Sequence, residues 1–378
     1  MRGFSRYRAE FPITRRFTYL NHASHGPMSL RVWRAIDGFL DRAVHTQHAH
    51  DATSFRKMNE CRALLAGMLG CEAGEIGMGC DTTFGLNVAA HGLDLRTGDE
   101  VLLSDVEFPA NVYPWLALGR KGVKVRFFKA REGFADLESI ERRITPRTRI
   151  LALSWVQYFN GYRTDLKATS DLCRQRGIFL VVDGMQGAGA LDLNVRQAGV
   201  DFLSAGGVKW LLGPQGSGFF FVSRRMLPRL KPDFAGWMGV DWKTNWENLR
   251  DYRRKPFRDA RKFELGSHPY QDLYGFREAL GMLAEVGMKR VENSILGLTG
   301  RLLDYLRDSP YKIRSSLAAR HRSGIISFTG KRNEALMEGL KHEKIIVSYR
   351  EGGVRVSPHF YNSDEEVDRL IAVLKRKA

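Results

Sequence analysis

The chain has 378 residues, and at roughly 150 residues per domain this length predicts two to three domains. Hydrophobic residues make up 43% of the chain and charged residues 27%, a balance that is typical of a packed protein and excludes wholesale disorder. No run of about 18 apolar residues occurs, so neither a membrane span nor a membrane partner is expected. The N-terminus, MRGFSRYRAEF, lacks the apolar core of a secretory signal.

The net charge is +17, and a chain this basic could bind nucleic acid or another anionic surface. The basic residues are spread along the chain, however, and the densest stretches, RDYRRKPFRDARK and LKRKA, are short. We therefore expect a solvated basic surface that attracts small anionic molecules, and no nucleic-acid partner. The four cysteines, which include no CxxC pair, argue against a zinc ribbon or a disulfide scaffold and favour a cytoplasmic location.

Apolar runs alternate with amphipathic segments through the first two thirds of the chain. Six of these runs are predicted to be strands: 101–105, 123–128, 150–156, 178–183, 202–205 and 218–222. Between them lie helical patterns such as 166–176, which Gly177 closes as a C-cap. Strands that are apolar on both faces and alternate with helices indicate an α/β fold with a mostly parallel sheet covered on both sides.

The pattern changes near Pro269, where a long amphipathic stretch, 274–306, leads into a region that ends in a predicted helix at 364–375. We predict a large α/β domain over residues 24–268. A smaller α+β domain is predicted to combine residues 1–23 with residues 269–378.

The segment 181–218 carries the residues that indicate chemistry. Asp183 ends an apolar strand, which is the usual place for a functional side chain in an open α/β sheet. Lys209 follows in a glycine-rich loop beside a tryptophan, GGVKW, where loss of hydration would favour the neutral amine that forms a Schiff base. A Schiff-base lysine and a carboxylate that keeps a pyridine nitrogen protonated are what pyridoxal 5′-phosphate (PLP) chemistry requires.

These residues resemble those of the class V aminotransferase group of fold-type I PLP enzymes, which includes cysteine desulfurases, kynureninases and isopenicillin N epimerase-like proteins. The resemblance extends from YLNHASHGP at 19–27, through D-G-M-Q at 183–186 and Lys209, to VRVSPHFYNSDEEVDRL at 354–370. It implies the fold-type I architecture, PLP as the cofactor and an amino acid as the substrate.

The resemblance assigns cofactor contacts. Lys209 would hold PLP as a Schiff base and move protons, and Asp183 would pair with the pyridine nitrogen N1. Gln186 would donate to the phenolic oxygen O3′. Gln157, which follows a predicted strand, is a second candidate for that oxygen, and a plain polar loop residue is an equally good interpretation of it.

The cofactor phosphate is expected at a helix N-terminus. Thr82 and Thr83 precede a helical pattern and would present hydroxyls and backbone N–H groups there. Gly206 stands where family members often carry a phosphate-binding serine, so Ser204 or Ser267 is expected to compensate. Ser267, in FELGSHP, resembles an element that reaches the phosphate from a partner subunit, and this resemblance implies a homodimer.

Other residues would contact the ring or the substrate. Phe108, in EFPANVYPW at 107–115, matches the family's stacking position, and the alternative is a core phenylalanine. Arg355 matches the family's carboxylate-binding arginine, with Arg350 as a secondary candidate, and each has the alternative of a surface arginine. Asn21 and Ser24 would bring small polar groups beside the substrate.

Three histidines, His45, His48 and His50, lie close together in VHTQHAHD. Their spacing suggests a metal site, but no cysteine or second histidine pair completes a ligand set, so no metal is expected. The family places a loop on the substrate side near this segment, which makes His45 a substrate-binding candidate.

The reaction is less constrained than the cofactor, because one fold supports several reactions. No cysteine follows Cys173, so the chain is expected not to be a Cys-dependent desulfurase. Transamination and a C–S (β-elimination) lyase reaction remain, with amino-acid epimerisation or racemisation of the isopenicillin N epimerase type as the alternative. An alternative of another class is a PLP-fold binding protein that has lost catalysis and uses its basic surface.

Overall fold

A computed structural model describes residues 4–46, 52–242 and 250–377. The strands in these ranges are β1 (Thr18–Tyr19), β2 (Ile76–Gly79), β3 (Glu100–Ser104), β4 (Lys124–Phe128), β5 (Thr148–Ser154), β6 (Phe179–Asp183), β7 (Phe202–Gly206), β8 (Gly218–Val222), β9 (Lys312–Ile313), β10 (Ile326–Thr329), β11 (Ile345–Ile346), β12 (Ser348–Arg350) and β13 (Gly353–Val356). The α-helices are α1 (Ser5–Arg8), α2 (Leu30–His45), α3 (Ala52–Leu69), α4 (Thr82–Gly92), α5 (Tyr113–Leu116), α6 (Leu137–Glu141), α7 (Leu166–Gln175), α8 (Val195–Ala198), α9 (Tyr270–Val286), α10 (Met288–Arg307), α11 (Asn333–His342) and α12 (Asp364–Lys377).

The central element is a seven-stranded sheet in the order β2-β8-β7-β6-β5-β3-β4. Its strands β4, β3, β5, β6 and β7 run parallel, whereas β8 is antiparallel to both of its neighbours. Each of the six predicted strands is present within two residues of its expected ends, which confirms the mostly parallel α/β fold. Strand β2 was not predicted, because its sequence, IGMG, is half glycine.

The helix predictions are also confirmed. Helix α7 begins after Asp165, whose side chain accepts a hydrogen bond from the backbone N–H of Ala168, and Gly177 beyond its end has a φ of +69°. The predicted amphipathic stretch 274–306 forms two helices, α9 and α10. They are separated by Gly287, whose φ is +84°. Glycine adopts this left-handed backbone without the steric penalty of a Cβ.

Two hydrophobic clusters cover the faces of the large sheet, and a third lies among α10, α11, α12 and the four-stranded sheet β12-β13-β10-β9. Helix α9 packs against α2 and α3 and contributes to the first of these clusters. The division at residue 268 remains a prediction, although these contacts group α9 with the large sheet.

The N-terminal segment runs from the C-terminal strands to the loop that contains Lys209. Strand β1 pairs in parallel with β11, and Asn21 then forms a bridge to Ser357, just after β13. This pairing carries residues 21–26 past the C-terminal strands, and Gly26 reaches the loop that contains Lys209. Within the three described ranges, no helix has both the length and the apolar composition that crossing a bilayer would require.

Candidate active site

The predicted cofactor residues lie at the carboxyl edge of the parallel strands. Asp183 is the last residue of β6 and pairs with Ser154 of β5 on one side and Ser204 of β7 on the other. Lys209 follows three residues after β7. The open edge of a doubly wound sheet is where α/β proteins bind ligands, so this placement satisfies the first condition for a cofactor site.

Asp183 and Lys209 form an electrostatically coupled pair. Burial raises the pKa of Asp183 to about 6, although the backbone N–H of Met185 donates to its Oδ1 at 2.8 Å and favours the carboxylate. Burial also lowers the pKa of Lys209 to about 8, and the charge of Asp183 opposes that shift. A buried acid and a buried amine displaced toward neutrality are typical of a site that binds an ionic ligand and moves protons.

The lowered pKa of Lys209 predicts how the cofactor-free protein responds to pH. Labelling of Lys209 by a small amine-reactive reagent, followed by peptide mapping, should rise with pH around a midpoint near 8. Between pH 8 and the ordinary lysine pKa of 10.5, the unfolded chain keeps a proton that folded Lys209 has lost, so this group makes the folded state more stable as pH rises through that window. A labelling midpoint equal to that of free N-acetyl-lysine would show that the amine is not desolvated.

Tight packing fixes the Lys209 loop. The backbone N–H of Gly26 donates to the Val208 carbonyl at 2.8 Å, and a Cβ at Gly26 would lie 2.2 Å from the Lys209 carbonyl oxygen. Only glycine therefore permits the N-terminal segment to approach this loop so closely. The contact holds residues 23–26 beside Lys209.

Phe108 lies over the lysine side chain. Its ring centroid is 5.8 Å from Lys209 Nζ, and its ring packs edge-on against Tyr158 with centroids 5.2 Å apart. The side chain is 43% exposed, so the alternative of a core phenylalanine is wrong. An exposed aromatic face near a Schiff-base candidate is suited to stacking on a flat ligand.

The N-terminus of α4 reaches the same edge. Asp81 caps the helix by accepting from the Phe84 backbone N–H, and Thr82 and Thr83 are its first two residues. Thr82 Oγ1 accepts from the Gly206 backbone N–H at 3.0 Å, which ties the helix start to the end of β7, and Thr83 is exposed. Free backbone N–H groups and the helix dipole make such a terminus a suitable phosphate site.

Two predicted cofactor contacts have other partners. Ser204 is fully buried, and its hydroxyl donates to the Thr82 carbonyl at 2.9 Å, so it links β7 to the first turn of α4. The Gln186 side chain donates to the Ala23 carbonyl at 3.0 Å and accepts from Trp210 Nε1 at 2.8 Å. The Gln186 bonds hold the N-terminal segment against the Lys209 loop, and the roles of Ser204 and Gln186 at the cofactor stay predictions.

Gln157 has unused hydrogen-bonding capacity at this edge of the sheet, and its O3′ role stays a prediction. Its side chain is fully buried, and its Nε2 donates to Glu107 Oε1 at 2.9 Å. Its Oε1 is buried and has no hydrogen-bond partner among the described residues. A buried amide with spare hydrogen-bonding capacity is costly unless a ligand completes it.

Glu107 is the site residue that the sequence analysis missed. Its carboxylate accepts from Asn111 Nδ2, from both the backbone N–H and the hydroxyl of Ser154, and from Gln157 Nε2, at 2.6–3.0 Å. Burial raises its pKa, while these four donors favour the charged form. The available signal was an ionisable residue placed directly before Phe108 and after the end of β3.

Arg355 is almost fully buried although it carries a charge. Its guanidinium donates to Ser348 Oγ at 3.0 Å, to the Tyr158 carbonyl at 2.6 Å and to Ser24 Oγ at 2.6 Å. No carboxylate among the described residues pairs with it, and burial lowers its pKa to about 10. The alternative of a surface arginine is therefore wrong, and a buried guanidinium without a counter-ion is suited to an anionic ligand.

Two other residues predicted to bind the substrate, Arg350 and Asn21, lie in different environments. Arg350 is exposed on β12, and its charge contributes to lowering the pKa of Lys209 and of Arg355, so it lies near both. Asn21 pairs with Ser357 through its backbone, and its side-chain Oδ1 is buried without a partner among the described residues.

The remaining candidates lie apart from this cluster. His45 is exposed at the end of α2, where it contacts Asp41, and Ser267 is exposed between a 3₁₀ turn and α9. His48 and His50 lie outside the described residues. In the part of the chain that the structure describes, no group of three or more His, Cys, Asp or Glu side chains is arranged to hold a metal ion.

The residues at this edge fit PLP. The helix N-terminus at Thr82 can take the phosphate, Asp183 can pair with the ring nitrogen, and Gln157 has a buried Oε1 without a hydrogen-bond partner among the described residues. Lys209 supplies an amine whose pKa is already lowered. These are the donor types that the cofactor needs, at one edge of one sheet.

Known proteins resemble the chain over nearly its full length. The family model for class V aminotransferases matches residues 18–370. An uncharacterized aminotransferase, YcbU, from Bacillus subtilis is 27% identical over 98% of this chain and 97% of its own length. A cysteine desulfurase from Klebsiella pneumoniae is 28% identical over the same shares of the two chains. A solved structure of the cystine C–S lyase C-DES has a TM-score of 0.87 at 24% identity, covering 96% of this chain and 98% of that chain.

These comparisons correct one prediction. The expectation that the chain is not a Cys-dependent desulfurase is wrong, because cysteine desulfurases, such as the probable one from Methanothermobacter thermautotrophicus at 27% identity over 98% of this chain, are among its full-length relatives. The absence of cysteine after Cys173 does not separate this chain from those relatives. The match over 18–370 places the chain in the class V aminotransferase family of PLP-dependent fold-type I enzymes.

Proposed function

We propose that this protein acts on an α-amino acid, with PLP held as a Schiff base on Lys209. The observation that carries the proposal is the juxtaposition of a desolvated amine at Lys209, a buried carboxylate at Asp183 and a buried, uncompensated guanidinium at Arg355. Each matches one requirement of amino-acid chemistry on PLP: attachment, electron withdrawal and recognition of a carboxylate.

The proposed mechanism uses each of these groups once. When bound, PLP would supply an electron-withdrawing ring beside the substrate Cα. Arg355 binds the α-carboxylate and orients the amino acid, with Ser24 and the Tyr158 carbonyl holding its guanidinium. Asp183 keeps the ring nitrogen protonated. Lys209, with its lowered pKa, takes the proton from Cα and returns it as a general base and acid.

The remaining contacts are proposed from the same geometry. Thr82 and Thr83 at the start of α4 bind the phosphate, Phe108 stacks on the ring, and Gln157 bonds the phenolic oxygen. Ser267 is exposed in the single chain, which suits the proposal that it reaches the phosphate of a partner subunit in a homodimer. A cytoplasmic location also remains a proposal.

The reaction outcome is proposed as transamination or β-elimination at a C–S bond, with epimerisation as the alternative. The names of the relatives support the first two, since they include an aminotransferase and a cystine C–S lyase. Desulfuration of cysteine belongs among the reactions to be tested, because several relatives carry that name.

Exchange of the α-proton tests the proposal without assuming the reaction. The PLP-loaded protein, which should be yellow because of the Schiff base, should be incubated in D₂O with single amino acids, cystine included. Each incubation should be run with and without 2-keto acids, and the products should be identified by mass spectrometry. We expect at least one amino acid to gain deuterium at Cα. A new keto acid that forms only when an acceptor 2-keto acid is present would indicate transamination, and pyruvate released together with ammonia would indicate elimination. Alanine with sulfane sulfur, recovered as sulfide only after a thiol reductant is added, would indicate desulfuration, and an inverted Cα centre would indicate epimerisation. A protein that binds PLP but exchanges no α-proton would support the binding-protein alternative.

Replacing Arg355 tests whether a carboxylate is recognised. A lysine cannot reproduce the two parallel hydrogen bonds of a guanidinium, so Arg355→Lys should lose about 1.5–3 kcal/mol of substrate binding and raise KM more than it lowers kcat. The absorbance of the bound cofactor should not change. Arg301→Lys is the control, because Arg301 pairs with Asp368. If Arg355→Lys bleaches the cofactor or leaves every KM unchanged, Arg350 is the next residue to test.

A further inference from the structure

The proposed mechanism assigns no role to the buried carboxylate of Glu107. It is 8% exposed, and its four hydrogen-bond donors come from its own loop, from the end of β5 and from the segment that follows β5. Three of the four donors are N–H groups, which can only donate, so a protonated carboxyl could give its hydrogen only to the Ser154 hydroxyl. The set of donors therefore fits an ionised carboxylate.

The position of this charge is unfavourable for stability alone. Ser154, which donates twice to Glu107, pairs directly with Asp183 across β5 and β6. Two carboxylates are thus buried at one edge of the sheet, and the charge of Glu107 contributes to raising the pKa of Asp183. No arginine, lysine or histidine among the described residues forms an ion pair with Glu107. Buried charges arranged in this way are poor stabilising devices, so a positional role is the better explanation.

Glu107 determines which way the Gln157 amide faces. Its Oε1 accepts from Gln157 Nε2 at 2.9 Å, and a flipped amide would place oxygen against oxygen. The same carboxylate anchors the backbone one residue before Phe108, because Asn111 and Ser154 hold it from both sides. Of the two side chains proposed to contact the cofactor ring, Gln157 is therefore the one that the Glu107 carboxylate bonds directly.

We propose that Glu107 is a positioning residue of the cofactor site, which fixes the Gln157 amide so that its second N–H faces the phenolic oxygen of PLP. The inference rests on the proposed function. It assigns Glu107 no contact with the cofactor itself, and the residue acts through Gln157.

A double-mutant cycle on cofactor affinity tests this dependence. The dissociation constant for PLP should be measured by equilibrium dialysis for the wild-type chain, Glu107→Gln, Gln157→Met and the double variant. We expect each single variant to weaken binding roughly tenfold and the double variant to be no weaker than the poorer single one, because both changes remove the same contact. Multiplied effects, near a hundredfold in the double variant, would show independent roles and overturn the proposal.

A matched control separates positioning from stability. Glu292 is another buried carboxylate, 4% exposed, that accepts from Arg163 and from the Asp192 backbone N–H without touching Gln157. Glu292→Gln should lower Tm and leave both PLP affinity and the pH midpoint of the cofactor absorbance unchanged. Glu107→Gln should weaken binding and move that midpoint to lower pH, because a nearby negative charge is lost. If Glu107→Gln changes Tm alone, Glu107 is only structural.

Two further outcomes, a variant that does not fold and a wild-type chain that does not bind PLP, are also interpretable. If Glu107→Gln does not fold, Glu107→Asp keeps the charge but withdraws it by one methylene, and it should weaken PLP binding several-fold; an unchanged dissociation constant would overturn the proposal. If the wild-type chain fails to bind PLP at Lys209, the proposed function itself is wrong. A chain that binds PLP there but shows multiplied effects in the cycle loses only the positioning role.

Discussion

Lys209→Ala is expected to lower turnover by about 10³–10⁴-fold, the upper range for loss of a positioned acid–base group. The variant loses both the covalent attachment of PLP and the base that reaches Cα. Its fold should be intact, since Nζ makes no hydrogen bond to a described residue and contacts the Phe108 ring at 5.8 Å. Single-turnover kinetics with the best substrate of the exchange screen measure the effect, and Tm checks the fold.

Lys289→Ala is the matched control, because Lys289 is an exposed lysine on α10 whose closest carboxylate is Glu292 at 3.9 Å. It should retain wild-type turnover. If Lys209→Ala retained more than about a tenth of the wild-type rate, another residue would have to serve as the base.

Asp183→Asn should bind PLP yet lose about 10²–10³-fold in turnover, the scale of a lost electrostatic contact in a buried site. An amide cannot keep the ring nitrogen protonated, so the ring withdraws electrons less strongly. The backbone bond from Met185 to Oδ1 can persist in the variant, so folding should survive. Turnover, the cofactor absorbance and Tm should be compared.

Asp201→Asn provides the contrast for Asp183. Asp201 is 1% exposed, pairs with Arg225 and accepts from the Leu180 backbone N–H just before β7 begins. Its loss should lower Tm and leave turnover per folded molecule near the wild-type value. Near-normal turnover in Asp183→Asn would instead mean that this carboxylate only caps the turn after β6.

Much of the fold could be predicted from sequence because its signals are local. Apolar runs bounded by polar segments indicate buried parallel strands, and Gly177 marks the end of α7. The break at Gly287 was not predicted, because the amphipathic pattern continues through it. Strand β2 was missed because its residues have low strand propensity, and it forms through pairing with β8, more than 130 residues away in sequence. Such pairing is a tertiary effect that no local window contains.

The site was predictable in residue type but less so in orientation. Asp183, Lys209 and Arg355 are ionisable residues that the sequence identifies by type, and the fold buries all three near one edge. Ser204 is different, because side chains alternate between the two faces of a strand and spacing along the chain does not say which face meets a ligand. Glu107 acquires its importance only from partners on other segments.

The attachment point of the cofactor is the most direct test of the central claim. The yellow holoprotein should be reduced with borohydride, digested and mapped by mass spectrometry. We predict a pyridoxyl group on the peptide that contains Lys209, in the sequence GGVKW, and none elsewhere in stoichiometric amount. A stoichiometric label on a different lysine, or a reduced protein without any label, would contradict the assignment of Lys209 and the mechanism built on it.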